Sequence, residues 1–274
     1  MAQGKVAAKQ RVRASPHDAP PPLEAGERRS SGCHAYGCSA GRDSGAPSDP
    51  RMDPGPLVST STRVNGVRIH ALVSTATAPR GAPAVVLVHG SGLSSRYMVP
   101  TAARLTSDFH VYVPDLPGFG NSFGCQVIAD LAARHPDRVE RAILHGPTTQ
   151  PGERSWFWQF VRWRQNQKYN PDSLGEVTNP EYEKCGMRRM LHLFREQLRD
   201  RIEDKAPRIA APVLVVRGEH DPIASRAWCE MVARLCPRGS LSIIPGVAHT
   251  LCYTAPVELA AVTRSFLTAS PPPA

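Results

Sequence analysis

The feature that most limits the fold is a set of short apolar runs that alternate with helical segments. Residues 84–88 and 212–216 are continuous and rich in β-branched side chains, as expected of strands buried on both faces of a parallel sheet. Residues 109–113 and 142–144 are two further predicted strands, and segments with helical periodicity separate the strands. This alternation predicts an α/β fold with a doubly wound, mostly parallel sheet.

Composition divides the chain into four parts. Residues 1–56 are rich in Pro, Gly, Ser and Arg and contain almost no apolar run. We expect a disordered basic tail there, because such a segment cannot bury enough surface to offset its ordering entropy. Residues 57–149 and 206–274 are expected to form the two halves of one core domain. Residues 150–205 between them are predicted to form a helical cap.

The predicted cap carries two stripes of apolar residues at helical spacing. Trp156, Phe160 and Trp163 recur at i, i+4 and i+7, and we expect them to face inward and pack as core. A cap lined by aromatic rings would also roof an apolar pocket. The second stripe consists of Met187, Leu191, Phe194, Leu198 and Ile202.

Charge and cysteine usage exclude several function classes. The net charge of +9 comes partly from the tail, and the remainder shows no basic helix face interleaved with aromatics, so no nucleic-acid partner is expected. No run of 18 apolar residues occurs, so neither a membrane span nor a membrane partner is expected. The seven cysteines show no repeated spacing, and we interpret them as reduced thiols of a cytoplasmic protein. Cys33, His34 and Cys38 have no second ligand pair, so we expect no metal and no cofactor. The sequence leaves the oligomeric state open.

Ser122 stands in a stretch that fits two different patterns. In DLPGFGNSFG, residues 115–124, the last five residues fit G-x-S-x-G, a nucleophile elbow in which a strained turn exposes a serine. Residues 118–122 also fit G-x-G-x-S, a loop pattern. Phe123 and Gly124 are followed by an apolar helix, which the elbow requires and the loop does not. We therefore interpret Ser122 as the nucleophile.

Five motifs together make the chain resemble the α/β-hydrolase family with a helical cap. HGSG follows a predicted strand, PDLPGFG follows the next, GNSFG opens a helix, GEHDP follows a late strand and PGVAH precedes the last helix. The resemblance runs from about Val64 to the C-terminal helix. It implies a serine hydrolase without a cofactor, acting on a small-molecule substrate such as an ester or a related activated carbonyl compound.

The resemblance also implies a role for each residue of the site. Ser122, Asp221 and His249 occur in the order that the family uses for its triad, in which the histidine is the base and the carboxylate orients it. The backbone amides of Ser91 and Phe123 would form the oxyanion hole. The glycines expected to support these loops are Gly90, Gly92, Gly120 and Gly124.

One departure from the family pattern concerns the middle of the sheet. The family places a helix and the central strand between the DLPGFG loop and the elbow, a segment of roughly thirty residues. Here Gly120 ends the loop and begins the elbow, so the central strand is missing. We expect a gap in the sheet, a poorly supported elbow and weak or absent catalysis. A shift of residues 109–113 into the gap would need a left-handed crossover from the preceding parallel strand, which is rare.

Two functions remain open from the sequence. The first is the serine hydrolase described above, with esterases and carbon–carbon bond hydrolases as its relatives. The latter usually place Trp after the histidine, whereas this chain has Thr250. The second is a non-catalytic or truncated relative that acts as a binding protein. Asp221 and His249 are expected to meet in either case, because both belong to the later half of the sheet.

Overall fold

The computed structural model describes residues 52–75, 78–90, 93–116, 124–147 and 149–269. Their strands form two sheets, ordered β1-β2-β4-β3 and β5-β6-β7. The strands are β1 (Leu57–Val64), β2 (Val67–Ser74), β3 (Ala84–Val86), β4 (His110–Pro114), β5 (Ala142–His145), β6 (Val213–Gly218) and β7 (Gly239–Ile244). With helices between most strands, this arrangement confirms the predicted α/β fold.

Nine α-helices are present among the described residues. They are α1 (Val99–Ala102), α2 (Gly124–Arg134), α3 (Trp156–Gln167), α4 (Asp172–Cys185), α5 (Met187–Arg199), α6 (Ile202–Lys205), α7 (Arg226–Leu235), α8 (Leu251–Thr254) and α9 (Pro256–Thr268). Short 3₁₀ helices cover Ser95–Met98, Ala103–Leu105 and Ala206–Arg208. Helices α3 to α6 follow one another between β5 and β6.

The first sheet begins with a hairpin. Asn65 and Gly66 connect β1 to β2 with φ values of 49° and 81°, and Val64 pairs with Val67. Two consecutive residues with positive φ form the turn type whose twist matches that of paired strands, which explains the Asn-Gly sequence. The Asn-Gly dipeptide between two alternating apolar runs is thus a signal for this hairpin in the sequence itself.

Strand β4 lies inside the first sheet. It pairs antiparallel with β2 and parallel with β3, and Val111 and Val113 are completely buried. Strand β4 therefore has not shifted into the position of the missing central strand, on the other side of β3. Such a shift would need a left-handed crossover between parallel strands, which is rare. Strand β3 is left at the edge of the sheet.

The second sheet is parallel throughout. Strand β6 lies between β5 and β7, and all six of its residues are buried. Strand β5 forms the edge of this sheet. Among the described residues, β3 pairs only with β4 and β5 only with β6, so the central strand that the family pattern requires is missing.

A shared core connects the two sheets. Val85 and Val111 of the first sheet belong to the same buried cluster as Leu214 and Val216 of the second. A separate cluster packs α2 and α7 against β5 and β6, with Trp228 as its largest side chain. Burial of apolar surface on both faces therefore stabilises the second sheet and, on one face, connects it to the first.

The aromatic stripe of α3 was predicted to face inward, and this prediction is wrong. Trp156, Phe160 and Trp163 are 48%, 59% and 45% exposed, whereas Gln159 and Asn166 are buried. The polar face turns inward because its groups find hydrogen-bond partners there. The Gln159 side chain donates to the Glu153 carbonyl at 3.0 Å, and the Asn166 side chain accepts from the backbone of the loop before α8.

The second stripe is buried only in part. Met187 and Leu191 are 73% and 48% exposed, whereas Ile202 is 1% exposed. On α5 itself the buried residues are Leu193 and Gln197, and neither of them belongs to that stripe. Helical spacing therefore identified the helix correctly and its inward face incorrectly.

Candidate active site

Asp221 lies in a buried turn just after the carboxyl end of β6. Its Oδ1 accepts hydrogen bonds from the backbone N–H groups of Ile223 and Ala224, at 2.8 and 3.0 Å. The buried Arg217 side chain donates to the carbonyls of Asp221 and Ala224, at 3.0 and 3.1 Å. These bonds fix the turn and leave Oδ2 of the carboxylate directed to a single neighbour, His249.

The His249 ring meets that carboxylate. Its Nδ1 lies 2.8 Å from Asp221 Oδ2, and the Asp221 side chain is fully buried. The backbone of His249 is held from two further directions. Its N–H donates to Asn166 Oδ1 of α3 at 3.2 Å, and its carbonyl lies 3.0 Å from His145 Nε2 at the end of β5. The ring and its loop therefore have a defined orientation.

The two side chains shift each other's pKa. Burial lowers the pKa of His249, but the Asp221 charge and hydrogen bond outweigh it and raise the pKa above its ordinary value. Burial raises the pKa of Asp221, but the His249 charge and the hydrogen bonds it accepts outweigh it and lower the pKa. Such a carboxylate stays ionised, fixes the proton on Nδ1 and leaves Nε2 as the basic nitrogen of the neutral ring.

His145 forms a supporting contact that the sequence analysis missed. Burial lowers its pKa to about 4, so the ring is neutral near neutral pH. Because the His249 carbonyl can only accept, Nε2 of His145 carries the proton. Its Nδ1 lies 3.6 Å from the Cys252 thiol, whose pKa burial raises to about 12. The thiol therefore donates, and the His145 tautomer is fixed.

Two glycines let the backbone approach the loop that carries His249, which we call the histidine loop (residues 245–250). At Gly146, with φ of 56°, an added Cβ would lie 2.7 Å from His249 Cε1. At Gly218 it would lie 2.2 Å from the Ala248 carbonyl oxygen. Contacts this short exclude any side chain without movement of the backbone. In the sequence, the only signal for Gly146 was its place directly after a strand.

The beginning of α2 lies between the ends of the two sheets. An added Cβ on Gly124 would lie 2.5 Å from the Val88 carbonyl oxygen, beyond β3. The neighbouring Cys125 thiol donates to the His145 carbonyl, at the end of β5, at 3.1 Å. The start of the helix is therefore held at the carboxyl ends of the strands that border the gap. The supporting role of Gly124 in an elbow stays a prediction, because residues 121–123 lie outside the described part of the chain.

The buried His89 and the half-buried Asp115 connect neighbouring segments of the first sheet. His89 Nε2 accepts from the Leu116 N–H at 3.3 Å, and its Nδ1 lies 3.1 Å from the Gly90 carbonyl. Asp115 accepts from the Ser95 N–H and contacts the His70 ring, both at 2.6 Å. The chain just after β3 is thus connected to the chain just after β4. An added Cβ on Gly90 would make only an ordinary contact, 3.7 Å from Leu93.

Several predicted site residues lie outside the described residues. The structure brings Asp221 and His249 together and places Gly124 at the strand ends. It does not describe the nucleophile, the two oxyanion-hole residues or the other two predicted glycines, which are Ser122, Ser91, Phe123, Gly92 and Gly120.

The described part of the chain offers neither a metal site nor a membrane-spanning helix. It contains no group of three or more His, Cys, Asp or Glu side chains that could hold a metal ion. None of its helices is both long enough and apolar enough to cross a membrane. Cys33, His34 and Cys38 lie outside the described residues.

Comparison with known proteins identifies relatives of part of the chain. Residues 85–146 match the alpha/beta hydrolase family. A pimeloyl-[acyl-carrier protein] methyl ester esterase of Vibrio atlanticus is 39% identical over 63 residues, which are 21% of this chain and 24% of that protein. A second such esterase, from Pectobacterium carotovorum, is 39% identical over 61 residues. The chain spans about a quarter of the length of these curated relatives.

Solved structures resemble the chain over a larger part of its length. A bacterial membrane phospholipase A has a TM-score of 0.63 and 23% identity, over 79% of this chain and 87% of that one. Carboxylesterase CesB of Bacillus subtilis has a TM-score of 0.58 and 19% identity, over 81% of this chain and 96% of that one. At these identities the likeness establishes the fold.

Proposed function

We propose that this chain, an α/β-hydrolase by fold and by the family that residues 85–146 match, is a serine hydrolase of small esters or related activated carbonyl compounds. Ser122 is its nucleophile, His249 is its general base, and Asp221 orients that base. The observation that carries the proposal is the 2.8 Å contact between His249 Nδ1 and Asp221 Oδ2, in a loop held by bonds from α3 and β5.

The arrangement supports a two-step reaction. His249 Nε2 takes the Ser122 hydroxyl proton while the oxygen attacks the ester carbonyl, and the backbone amides of Ser91 and Phe123 stabilise the oxyanion. The tetrahedral intermediate expels the alcohol, which receives the proton from His249. Water then attacks the acyl-enzyme with the same base, and the acid leaves as Ser122 is regenerated. Asp221 keeps its negative charge throughout and stabilises the imidazolium.

The start of α2 supports the choice of nucleophile. Ser122 stands two residues before Gly124 in the sequence, and Gly124 packs against the Val88 carbonyl at the ends of the strands. Cys125, one residue later, bonds to His145, which itself bonds to the His249 carbonyl. The start of α2 and the His249 loop are thus connected through one residue, His145, by its carbonyl and its ring. Ester chemistry is supported by the partly matching relatives, which are methyl ester esterases.

Helices α3 to α5 are proposed to form the cap of this site, within residues 150–205. Asn166 accepts from the His249 N–H, and Asn170 accepts from the Thr250 hydroxyl at 2.9 Å. The Tyr253 hydroxyl donates to Ser173 at 3.1 Å. These contacts between cap helices and the histidine loop support a cap that positions the base as well as covering the substrate.

Labelling with a fluorophosphonate probe tests the proposal, because the probe reacts with serines that an adjacent base activates. The wild-type chain should be labelled, and mass spectrometry should locate the adduct on Ser122. The variants Ser122→Ala and His249→Ala should lose the label, whereas Ser107→Ala, at an exposed serine distant in sequence, should keep it. Label on another serine, or equal label in Ser122→Ala, would refute the assignment.

A second candidate function is a binding protein without catalysis. The observation in its favour is the division of the sheet between β3 and β5, because the strand that normally supports an elbow is missing. This candidate predicts no probe adduct at Ser122 although Asp221 and His249 meet. The same labelling experiment therefore distinguishes the two functions.

A further inference from the structure

The outer faces of α3 and α5 carry exposed aromatic, aliphatic and arginine side chains. We propose that this surface docks on an anionic lipid bilayer. The proposal goes beyond the hydrolase reaction and does not depend on it. We call the surface the cap outer surface and define it by Phe157, Phe160, Trp163, Arg164, Arg188, Leu191 and Arg195.

The apolar side chains of this surface are unusually exposed. Phe157 and Phe160 are 67% and 59% exposed, and Trp163 and Leu191 are 45% and 48% exposed. They point outward because α3 turns Gln159 and Asn166 inward, where both make hydrogen bonds. Apolar side chains clustered on a surface are typical of a place where another molecule or a membrane binds.

One ring contact joins the two helices. The rings of Trp156 in α3 and Phe194 in α5 pack in a tilted arrangement, with centroids 4.8 Å apart. Within α3, the rings of Phe160 and Trp163 lie 5.9 Å apart. The helices that carry the exposed residues are therefore neighbours that contact each other at Trp156 and Phe194.

The charge of the patch is positive. The α3 sequence contains no acidic residue, and the single one in α5, Glu196, lies 3.2 Å from Arg199. Within the described part of the chain, Arg164, Arg188 and Arg195 form no ion pair with a carboxylate. Their guanidinium groups are therefore available to an anionic partner.

This combination favours an anionic lipid surface over the other occupants. Helices that lie in the plane of a bilayer interface carry Trp, Phe and Leu beside Arg and Lys. Arginine binds phosphate through two parallel hydrogen bonds, and aromatic rings are stable at headgroup depth. A second copy of the chain would bring like charges together, which disfavours self-association through this face.

No membrane partner was expected from the sequence, because no run of 18 apolar residues occurs, and no basic helix face interleaved with aromatics was recognised there. The exposed rings of α3 and α5, beside arginines that form no ion pair in the described part of the chain, differ from that second expectation. Docking on a surface also needs no helix that crosses the membrane.

Co-sedimentation of the full chain with lipid vesicles tests the proposal. Vesicles of phosphatidylcholine alone are compared with vesicles that contain about 30% phosphatidylglycerol, since each basic residue near an anionic surface strengthens binding. We expect binding to the anionic vesicles, weakening with added salt, and a blue shift of tryptophan emission. Phe157→Ser/Phe160→Ser and Arg164→Gln/Arg188→Gln/Arg195→Gln should each weaken this binding by about tenfold or more.

Matched controls lie elsewhere on the molecule. Val257→Ser replaces a residue of α9 that is 57% exposed, and Arg234→Gln/Arg238→Gln removes two exposed arginines near α7. Both controls should bind vesicles as the parent does. Absence of vesicle binding, equal binding to neutral vesicles, or equal weakening by the controls would overturn the proposal. Self-association that the Phe157→Ser/Phe160→Ser variant abolishes, without vesicle binding, would assign the surface to a second copy instead.

Discussion

At the scale of single residues, His249 is held by three distant parts of the chain. Asp221 fixes its ring, Asn166 accepts from its N–H, and His145 donates to its carbonyl. The motif PGVAH and the family order of the triad predicted the first contact from the sequence. The other two depend on which residues the fold brings near, and nothing in the local sequence around Asn166 or His145 marks them.

The pH dependence of hydrolysis should report the pKa of His249. The neutral imidazole is the base, so activity is present above this pKa and is lost as the pH falls through it. Because the Asp221 carboxylate raises the pKa, the midpoint of the acid limb of kcat/KM should lie above the ordinary 6.5. In Asp221→Asn, His249 stays buried but loses the neighbouring negative charge, so its pKa should fall. The midpoint of the acid limb should therefore move to lower pH. The exposed control Asp137→Asn should not move it, and an unchanged midpoint in Asp221→Asn would contradict this account.

Gly146→Ala should impair both stability and activity. The added Cβ would lie 2.7 Å from the His249 ring, on a backbone with φ of 56°. We expect a loss of about 1–3 kcal/mol in the free energy of unfolding and a lower kcat. Gly152→Ala is the matched control, because its φ is 85° and its surroundings are open. Urea denaturation and ester hydrolysis measure the two effects, and identical behaviour of the two variants would show that the ring contact is unimportant.

At the scale of elements, the sequence predicted most strands and helices close to their observed positions. Continuous β-branched runs and the Asn-Gly turn are signals that a short stretch of sequence carries by itself. The orientation of α3 is not a local property. Periodicity shows that Trp156, Phe160 and Trp163 share a face, but the hydrogen bonds of Gln159 and Asn166 to other segments decide which face is buried.

The observed orientation of α3 changes what substitutions should do. Trp163→Asp should alter the free energy of unfolding by less than about 1 kcal/mol, because the side chain is 45% exposed. Leu193→Asp in α5 should cost about 3 kcal/mol or more, because it places a carboxylate where a side chain is 2% exposed. Thermal or urea denaturation of the two variants checks the contrast. If Trp163→Asp lost more unfolding free energy than Leu193→Asp, the inward orientation of Trp163 predicted from the sequence would be favoured instead.

At the scale of the whole molecule, the described strands form two sheets, and Asp221 and His249 both lie at the second one. The fused motif at Gly120 predicted the missing strand, since no segment remains to form it. Helix α2 still begins at the ends of β3 and β5, held by Gly124 and Cys125. What the sequence could not provide is the shared core that connects the sheets, because Val85 and Leu214 are far apart in the chain.

The most direct test compares the wild type with Ser122→Ala in the hydrolysis of p-nitrophenyl acetate. We predict a kcat/KM lower in the variant by roughly tenfold to a thousandfold, because the base is assembled and the elbow lacks its strand. Removal of the nucleophile from a fully formed triad costs more than about a thousandfold. A loss of that size would show that the elbow is intact without the central strand. Equal rates would contradict the central claim that Ser122 is the nucleophile of Asp221 and His249.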